Sequence, residues 1–362
     1  MEQVDLSGHP ARRNVRRWLS GHPPQDMRSR LRELADSPIA DGPPDRYGTG
    51  TVVQALEAQV ADLLGTPTAL FVIKGVIAQQ AVLRVWTDRR GSPDVAVHPQ
   101  SHLDLDEASA YERLHGLRPV RLGRHLPFTA ADLAAATGRL GAVVVELPLR
   151  RAGYLLPSWD ELVAISAWCH ENAVPLHIDG ARLWESVPYL GHSLTEIAAL
   201  ADSVYVSFYK GLGGLAGCAL TAPPDVLAES AVWITRHGGS LYAAYPYALS
   251  ALDGLTRHLP AMAGHHERAV SLAAALAGTG RATIVPDPPH TTAFQVHLPG
   301  RPEAVAAALT RAAVETGVWI ADRVSATALP DVSMIEITVG VATADVSDEE
   351  AAALIAALTV HT

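Results

Sequence analysis

Short apolar runs alternate with longer amphipathic stretches between Tyr47 and Thr221. The runs have the length of buried strands, and the stretches between them repeat apolar residues at helical spacing. This alternation is typical of a mostly parallel sheet with crossover helices, so the chain is predicted to be an α/β protein. The predicted strands are 69–73, 95–98, 142–146, 176–178, 203–208 and 217–220, and the predicted helices are 53–64, 78–86, 130–137 and 159–172.

The pattern changes after Gly238, where it becomes helical as far as Leu276, with a helix expected at 247–255. Closely spaced prolines at 286–289 then resist both helix and central strand, and they mark the entrance to a smaller α+β unit. Its predicted strands are 291–297, 318–321 and 334–341, and its predicted helices are 302–316 and 347–358. The domain prediction is an N-terminal segment (1–46), a large domain (47–255) and a small C-terminal domain (256–362).

Composition excludes several classes of function. A formal net charge of -10 argues against nucleic acid or an anionic membrane as a partner. Two cysteines, Cys169 and Cys218, are too few for a disulfide framework or a clustered zinc site, so no metal is expected. No apolar run approaches the roughly 20 residues of a membrane span, and the first thirty residues contain no signal-peptide core. A cytoplasmic protein is therefore expected.

Two charged residues each follow a buried-looking strand. Asp179 lies in Pro175-Leu-His-Ile-Asp-Gly-Ala-Arg-Leu-Trp184, and Lys210 lies in Ser207-Phe-Tyr-Lys-Gly-Leu-Gly-Gly214. Burying such charges without partners is costly. A pyridine cofactor supplies both partners, because a carboxylate keeps the ring nitrogen protonated and a lysine amine forms a Schiff base with an aldehyde. Alternatively, Asp179 caps a helix and Lys210 lies in an exposed loop.

Further motifs accompany these two residues over most of positions 47–260. In chain order they are Tyr47-Gly48 with Leu56-Glu57, Ala69-Leu-Phe-Val72, His102 with Glu107, Glu146 with Gly153 and Pro157, Asp179-Gly-Ala-Arg-Leu183, and Lys210-Gly-Leu-Gly213. With this set the chain resembles the threonine aldolase and β-eliminating lyase family of pyridoxal 5′-phosphate (PLP) enzymes. The resemblance implies the fold-type-I, PLP-dependent transferase-like fold.

The resemblance also implies roles for the site residues. By it, Lys210 forms the Schiff base, Asp179 pairs with the pyridine nitrogen, and His102 stacks on the ring and can transfer protons. Arg182 is expected near the ring hydroxyl and the substrate carboxylate, the alternative being a salt bridge with Glu185. The phosphate is expected at Lys74, Gly75 and Val76, where a helix begins with free N–H groups.

Three positions depart from the family pattern. Lys74 and Val76 lack the hydroxyls of the family's Ser-Gly-Thr, so Lys74 either supplies a point charge or faces solvent. Glu336 stands where the family has a carboxylate-binding arginine, and it either binds a cationic group of the substrate or faces solvent. Arg17 is a candidate replacement for that arginine, and Tyr47 is expected to contact the substrate.

The resemblance implies a lyase that cleaves a threonine-like β-hydroxy-α-amino acid to glycine and an aldehyde by retro-aldol chemistry. Alternatives with the same cofactor are β-elimination and racemisation, and another is a catalytically idle PLP-binding relative. Because family members share active sites across a dimer interface, a homodimer or homotetramer is expected.

Overall fold

The computed structural model describes residues 2–358. Its strands are β1 (Gln3–Asp5), β2 (Arg17–Trp18), β3 (Ala69–Val72), β4 (Asp94–Val97), β5 (Arg118–Arg121), β6 (Ala142–Glu146), β7 (Leu176–Gly180), β8 (Ser203–Ser207), β9 (Cys218–Thr221), β10 (Thr283–Val285), β11 (Ala293–Pro299), β12 (Val318–Trp319), β13 (Arg323–Ala326) and β14 (Val332–Thr338). Its helices are α1 (Met27–Ala35), α2 (Thr51–Leu64), α3 (Gly75–Arg90), α4 (His102–Leu105), α5 (Ala110–His115), α6 (Ala130–Ala135), α7 (Trp159–Glu171), α8 (Leu183–Leu190), α9 (Leu194–Ala198), α10 (Pro224–Arg236), α11 (Tyr245–Arg257), α12 (Met262–Ala277), α13 (Pro302–Thr316) and α14 (Asp348–Ala357). None of these helices is long and apolar enough to cross a membrane.

The chain forms two compact units. The small unit comprises Met1–Gln25 and Ala261–Thr362, and the large unit comprises Asp26–Pro260. The predicted N-terminal segment 1–46 is thus shared between the two units. Its first part joins the small unit through β1, which pairs with β13, and β2, which pairs with β12. These strands are only three and two residues long, too short to show a periodicity in the sequence.

The large unit is built on one sheet in the order β3-β9-β8-β7-β6-β4-β5. Only β9 runs antiparallel to its neighbours, which confirms the predicted mostly parallel α/β sheet. Every residue of β6, β7, β8 and β9 is buried. Strands buried on both faces are mostly apolar, as in Ala142-Val-Val-Val-Glu146, and this makes them predictable. The strand β7 also buries two polar side chains, His177 and Asp179.

The strand β5 was not predicted. It lies at the edge of the sheet, pairs only with β4, and reads Arg118-Pro-Val-Arg121. Edge strands tolerate proline and charged side chains because one side makes no ladder of hydrogen bonds. The sequence of such a strand therefore lacks the apolar signal of the central strands.

The small unit contains an antiparallel sheet in the order β1-β13-β14-β11-β10. Helices α12, α13 and α14 contribute Leu272, Val305 and Ile355 to its apolar core. The helix α13 has the predicted bounds, whereas the predicted strand 318–321 shortens to β12 and β13 was missed. Residues of β14 are alternately buried and partly exposed, as expected for a strand with one face on the core.

Candidate active site

Polar side chains lie next to one another at the carboxyl ends of three buried parallel strands. Glu146 on β6 pairs in register with Asp179 on β7, which pairs in register with Tyr205 on β8. All three are at least 92 % buried, with exposed fractions of 8 %, 1 % and 2 %. Open α/β sheets bind ligands at this edge. Burial and the adjacent Asp179 carboxylate raise the pKa of Glu146 to about 7.

The Asp179 carboxylate has little internal compensation for its burial. Among residues 2–358, it accepts one hydrogen bond, from the backbone N–H of Ala181 at 3.1 Å. A carboxylate can accept several hydrogen bonds, so this one leaves most of its acceptor capacity unused. Asp179 is therefore suited to a cationic group of a ligand, and the alternative that it serves as a helix cap does not apply, since the residue preceding α8 is Arg182.

Lys210 follows the end of β8, and its amine lies in a largely desolvated environment. Burial and the nearby Arg182 guanidinium lower the pKa of Lys210 to about 8, although the carboxylates of Asp179, Glu146 and Glu185 oppose the shift. An amine with this pKa is partly unprotonated near neutral pH. It can therefore act as a nucleophile, and the alternative of an exposed loop lysine is not observed.

Glu185 holds the turn that follows Lys210. Its side chain is 1 % exposed, and Oε1 accepts a hydrogen bond from the backbone N–H of Gly211 at 2.9 Å. A Cβ atom on Gly211 would collide with this carboxylate, so glycine is required by close approach. The helix α8, which starts after the Asp179 strand, thus supports the lysine turn from behind.

His102 begins α4 and is braced at two points. Its backbone N–H donates to Glu146 Oε2 at 2.7 Å, and its Nδ1 lies 2.9 Å from Glu107 Oε1. Glu107 has a fully buried side chain, and its Oε2 accepts a hydrogen bond from Gln80 Nε2 at 3.1 Å. The hydrogen bond to Glu107 raises the pKa of His102. These contacts leave Nε2 as the ring nitrogen that can meet a ligand.

One narrow pocket brings several of these groups together. It is lined by His102, Asp106, Glu146, Pro148, Arg150, Arg151, Ala181, Arg182 and Lys210. The Arg182 guanidinium lies over the ring of Tyr154, with Cζ 5.2 Å from the centroid. The expected alternative for Arg182 is a salt bridge with Glu185. The Glu185 carboxylate instead accepts a hydrogen bond from the backbone N–H of Gly211. The pocket thus combines a nucleophilic amine, a histidine and a guanidinium.

The predicted phosphate segment lies at the start of α3. Lys74 is the residue before the helix and makes no side-chain hydrogen bond to the first turn, so that turn can accept an anion. Gly75 packs against the Tyr205 hydroxyl, where a Cβ would collide. The Lys74 side chain is exposed, yet its Nζ lies 5.8 Å from the ring centroid of Tyr209, the residue before Lys210.

Three predicted substrate residues lie outside these contacts. Tyr47 is 65 % exposed and packs edge-on against Tyr242, with centroids 5.5 Å apart. In the small unit, Arg17 forms an ion pair with Glu350 at 2.8 Å. Glu336 occupies a partly exposed position of β14. Substrate roles for these three residues stay predictions.

Three supporting residues were missed by the sequence analysis. Gln80 and Glu185 are polar residues that are 1 % exposed, and Glu185 is the one charged residue of the mostly apolar helix α8, which was a signal available for it. Gln80 lies in a helix with several other polar residues, so no comparable signal marked it. Tyr205 reads as an ordinary aromatic strand residue, so nothing in its sequence context marked it. No group of three or more His, Cys, Asp or Glu side chains in the described part of the chain is arranged to hold a metal ion.

Comparison with known proteins shows which enzyme family has a similar sequence. Residues 29–298 match the model of a family described as β-eliminating lyase. Aldolase vrtJ from Penicillium aethiopicum is 36 % identical over 243 residues, which cover 60 % of either protein. The low specificity L-threonine aldolase of Escherichia coli (strain K12) is 25 % identical over 270 residues, 70 % of this chain and 76 % of that protein.

Solved structures agree with this result. A candidate L-allo-threonine aldolase from Listeria monocytogenes EGD-E is 36 % identical, with a TM-score of 0.90 and 96 % of both chains covered. Serine palmitoyltransferase from Sphingomonas wittichii, at 17 % identity and a TM-score of 0.64 over 93 % of this chain and 82 % of that one, shares the fold. The chain therefore belongs to the β-eliminating lyase family, and its fold is that of the fold-type-I PLP-dependent enzymes.

Proposed function

We propose that this chain is a PLP-dependent lyase that cleaves a threonine-like β-hydroxy-α-amino acid to glycine and an aldehyde. The observation that carries the proposal is the pairing of a buried carboxylate and a desolvated amine at the ends of neighbouring strands, Asp179 on β7 and Lys210 after β8. Relatives named threonine aldolases support the substrate class.

The residues present fit the cofactor. When bound, PLP supplies an aldehyde that condenses with amines and a ring that accepts the electron pair of the bond being broken. Lys210 would carry it, Asp179 would face the ring nitrogen, and the start of α3 with Lys74, Gly75 and Val76 would hold the phosphate. Within the described residues the Asp179 carboxylate accepts one hydrogen bond, and this unused acceptor capacity favours a cationic ring nitrogen there.

Three residues of the chain have separate roles towards the substrate. Arg182 lines the pocket and presents a planar fork that binds a carboxylate at two points. His102 lines the same pocket, and its Nε2 would accept the proton of the substrate β-hydroxyl. Glu107 holds the opposite ring nitrogen and stabilises the protonated form that results.

Replacing Glu107 by glutamine should shift the acid limb of the pH profile of kcat. His102 must be unprotonated to accept a proton, so activity is lost as the pH falls through its pKa. Glu107 raises that pKa, so Glu107→Gln should move the limb to lower pH. We also expect kcat at its optimum to fall by about 10- to 100-fold, as it does for residues that orient metal-binding histidines through the same kind of hydrogen bond.

Glu112→Gln on the neighbouring helix α5 is the matched control, because Glu112 makes only a 4.0 Å contact with Arg121. Its profile should coincide with that of the unmodified enzyme. An unmoved acid limb in Glu107→Gln would show that His102 is not the group being titrated.

The proposed reaction is tested by incubating the purified PLP-loaded protein with a panel of β-hydroxy-α-amino acids. We expect glycine and the matching aldehyde in equal amounts, since the Cα–Cβ bond breaks once per turnover. The panel should include threonine and allo-threonine of both configurations. Absence of both products from every member would contradict the aldolase proposal.

β-Elimination is the second candidate, because the matching family model is that of the β-eliminating lyases. It requires only removal of the Cα proton and departure of a group from Cβ. Serine- and cysteine-type substrates, added to the same panel, should then release a 2-oxo acid and ammonia in place of glycine.

We also propose a homo-oligomer in the cytoplasm. The first helix of the large unit, α1, exposes large apolar side chains, with Met27 86 % and Leu31 64 % exposed. Met27 and Leu31 are one helical turn apart on α1, and neighbouring exposed apolar side chains are characteristic of contact surfaces. Cys169 and Cys218 are buried and unpaired, which suits a reducing compartment.

A further inference from the structure

Of the 28 Lys and Arg residues in the chain, only two are lysines, Lys74 and Lys210. Both meet at one aromatic ring, because each Nζ lies 5.8 Å from the ring centroid of Tyr209. The two amines therefore lie within twice that distance of each other. Everywhere else the chain uses arginine for positive charge. A lysine at position 74 thus indicates a need for a compact ammonium rather than a planar guanidinium.

Tyr209 connects two different elements of the fold. It follows β8 and directly precedes Lys210, whereas Lys74 precedes α3. The ring is partly buried, and this burial raises the pKa of the phenol, so the hydroxyl is neutral at physiological pH. A neutral phenol ring attracts ammonium groups through its negative face. The ring can therefore hold an ammonium without forming an ion pair.

Two primary amines at one cofactor site would create a chemical ambiguity. Either amine, when unprotonated, can attack the aldehyde carbon and lose water to give a carbon–nitrogen double bond. Only the product on Lys210 would leave the cofactor ring facing Asp179. The site therefore needs a residue that keeps one of the two amines away from the aldehyde.

We propose that Tyr209 is a positioning residue that holds the Lys74 ammonium over its ring at the phosphate end and thereby reserves the cofactor aldehyde for Lys210. This proposal rests on the function proposed above. It explains why the residue before the reactive lysine is aromatic. It also explains why Lys74 is a lysine in a chain that otherwise uses arginine.

The test is reductive trapping of the PLP-loaded protein. Borohydride delivers hydride to the carbon of the carbon–nitrogen double bond, and water protonates the nitrogen, which leaves a stable secondary amine on the lysine that had reacted. Peptide mapping by mass spectrometry then assigns the label to Lys74 or Lys210. Tyr209→Leu removes the ring, and Tyr209→Phe is the matched control that keeps it.

We expect the label on Lys210 in the unmodified enzyme and in Tyr209→Phe. In Tyr209→Leu, the fraction on Lys74 should rise by about tenfold, the effect of losing one cation–π contact. If the share of label on Lys74 does not change in Tyr209→Leu, the proposal is overturned. An equal rise of that share in Tyr209→Phe would also overturn it, because the loss of the hydroxyl and not of the ring would then be the cause.

A second measurement does not depend on the folding of Tyr209→Leu. In Lys210→Ala with Tyr209 intact, Lys74 is the one lysine that remains in the chain. It should nevertheless stay unlabelled. Efficient labelling of Lys74 in this variant would overturn the proposal. Absence of label from Lys210 in the unmodified enzyme would instead refute the proposed function itself, so the two failures are distinguishable.

Discussion

Lys210→Ala should lower kcat by roughly 10⁴- to 10⁶-fold, the range observed when a covalent nucleophile is removed. Among the residues that line the described pocket, Lys210 is the only primary amine, and the other basic side chains are His102 and the arginines Arg150, Arg151 and Arg182. A guanidinium stays protonated and cannot attack an aldehyde. The loss should therefore appear in the chemical step, while folding is preserved.

Absorbance provides the measurement. The unmodified enzyme with PLP should be yellow and should change its spectrum on addition of an amino acid substrate, whereas Lys210→Ala should show only the spectrum of the unbonded cofactor. A small external amine such as methylamine should restore part of the activity, since it can replace the missing nucleophile in solution. Persistence of the original absorption band in Lys210→Ala would identify another amine as the carrier.

Asp179→Asn should lower kcat by about 10²- to 10³-fold, the range for loss of one group that stabilises charge developing in the transition state. Asparagine keeps the shape of the side chain but has no charge to hold a proton on the cofactor nitrogen. Without that proton the ring accepts electrons poorly. The decrease should be measured as kcat under saturating PLP, so that weaker cofactor binding does not contribute.

The matched control is Asp202→Asn. Asp202 is exposed, lies just before β8 and accepts the backbone N–H of Leu176 at 2.8 Å, so it belongs to the opposite end of the same strands. We expect kcat of this variant to stay within about twofold of the unmodified enzyme, as for surface changes away from the site. Equal kcat values for Asp179→Asn and the unmodified enzyme would remove Asp179 from the mechanism.

The sequence was most informative about the central sheet and the two charges at its end. The strands β6, β7 and β8 are buried on both faces, so they appear as short apolar runs, and a charge directly after such a run is conspicuous. Asp179 and Lys210 were identifiable for this reason. The edge strand β5 and the short strands β1 and β2 gave no comparable signal.

The supporting contacts were not predictable in the same way. Gln80 on α3, Glu107 before α5 and His102 on α4 are joined by hydrogen bonds although they belong to separate elements. Glu185 reaches Gly211 from another helix. Hydrogen bonds of this kind depend on distances between atoms that are remote in sequence, and neither spacing nor composition encodes those distances.

The sequence by itself therefore determined the fold class, the family resemblance and the residues that carry charge at the strand ends, because burial periodicity and local chemistry are properties of the chain. Tertiary structure alone decided which residues hydrogen-bond to His102. It also decided that the amines of Lys74 and Lys210 both lie near the ring of Tyr209. The physical reason is that hydrogen bonds and cation–π contacts act over a few ångströms, so they exist only after packing has brought the helices to the carboxyl edge of the sheet.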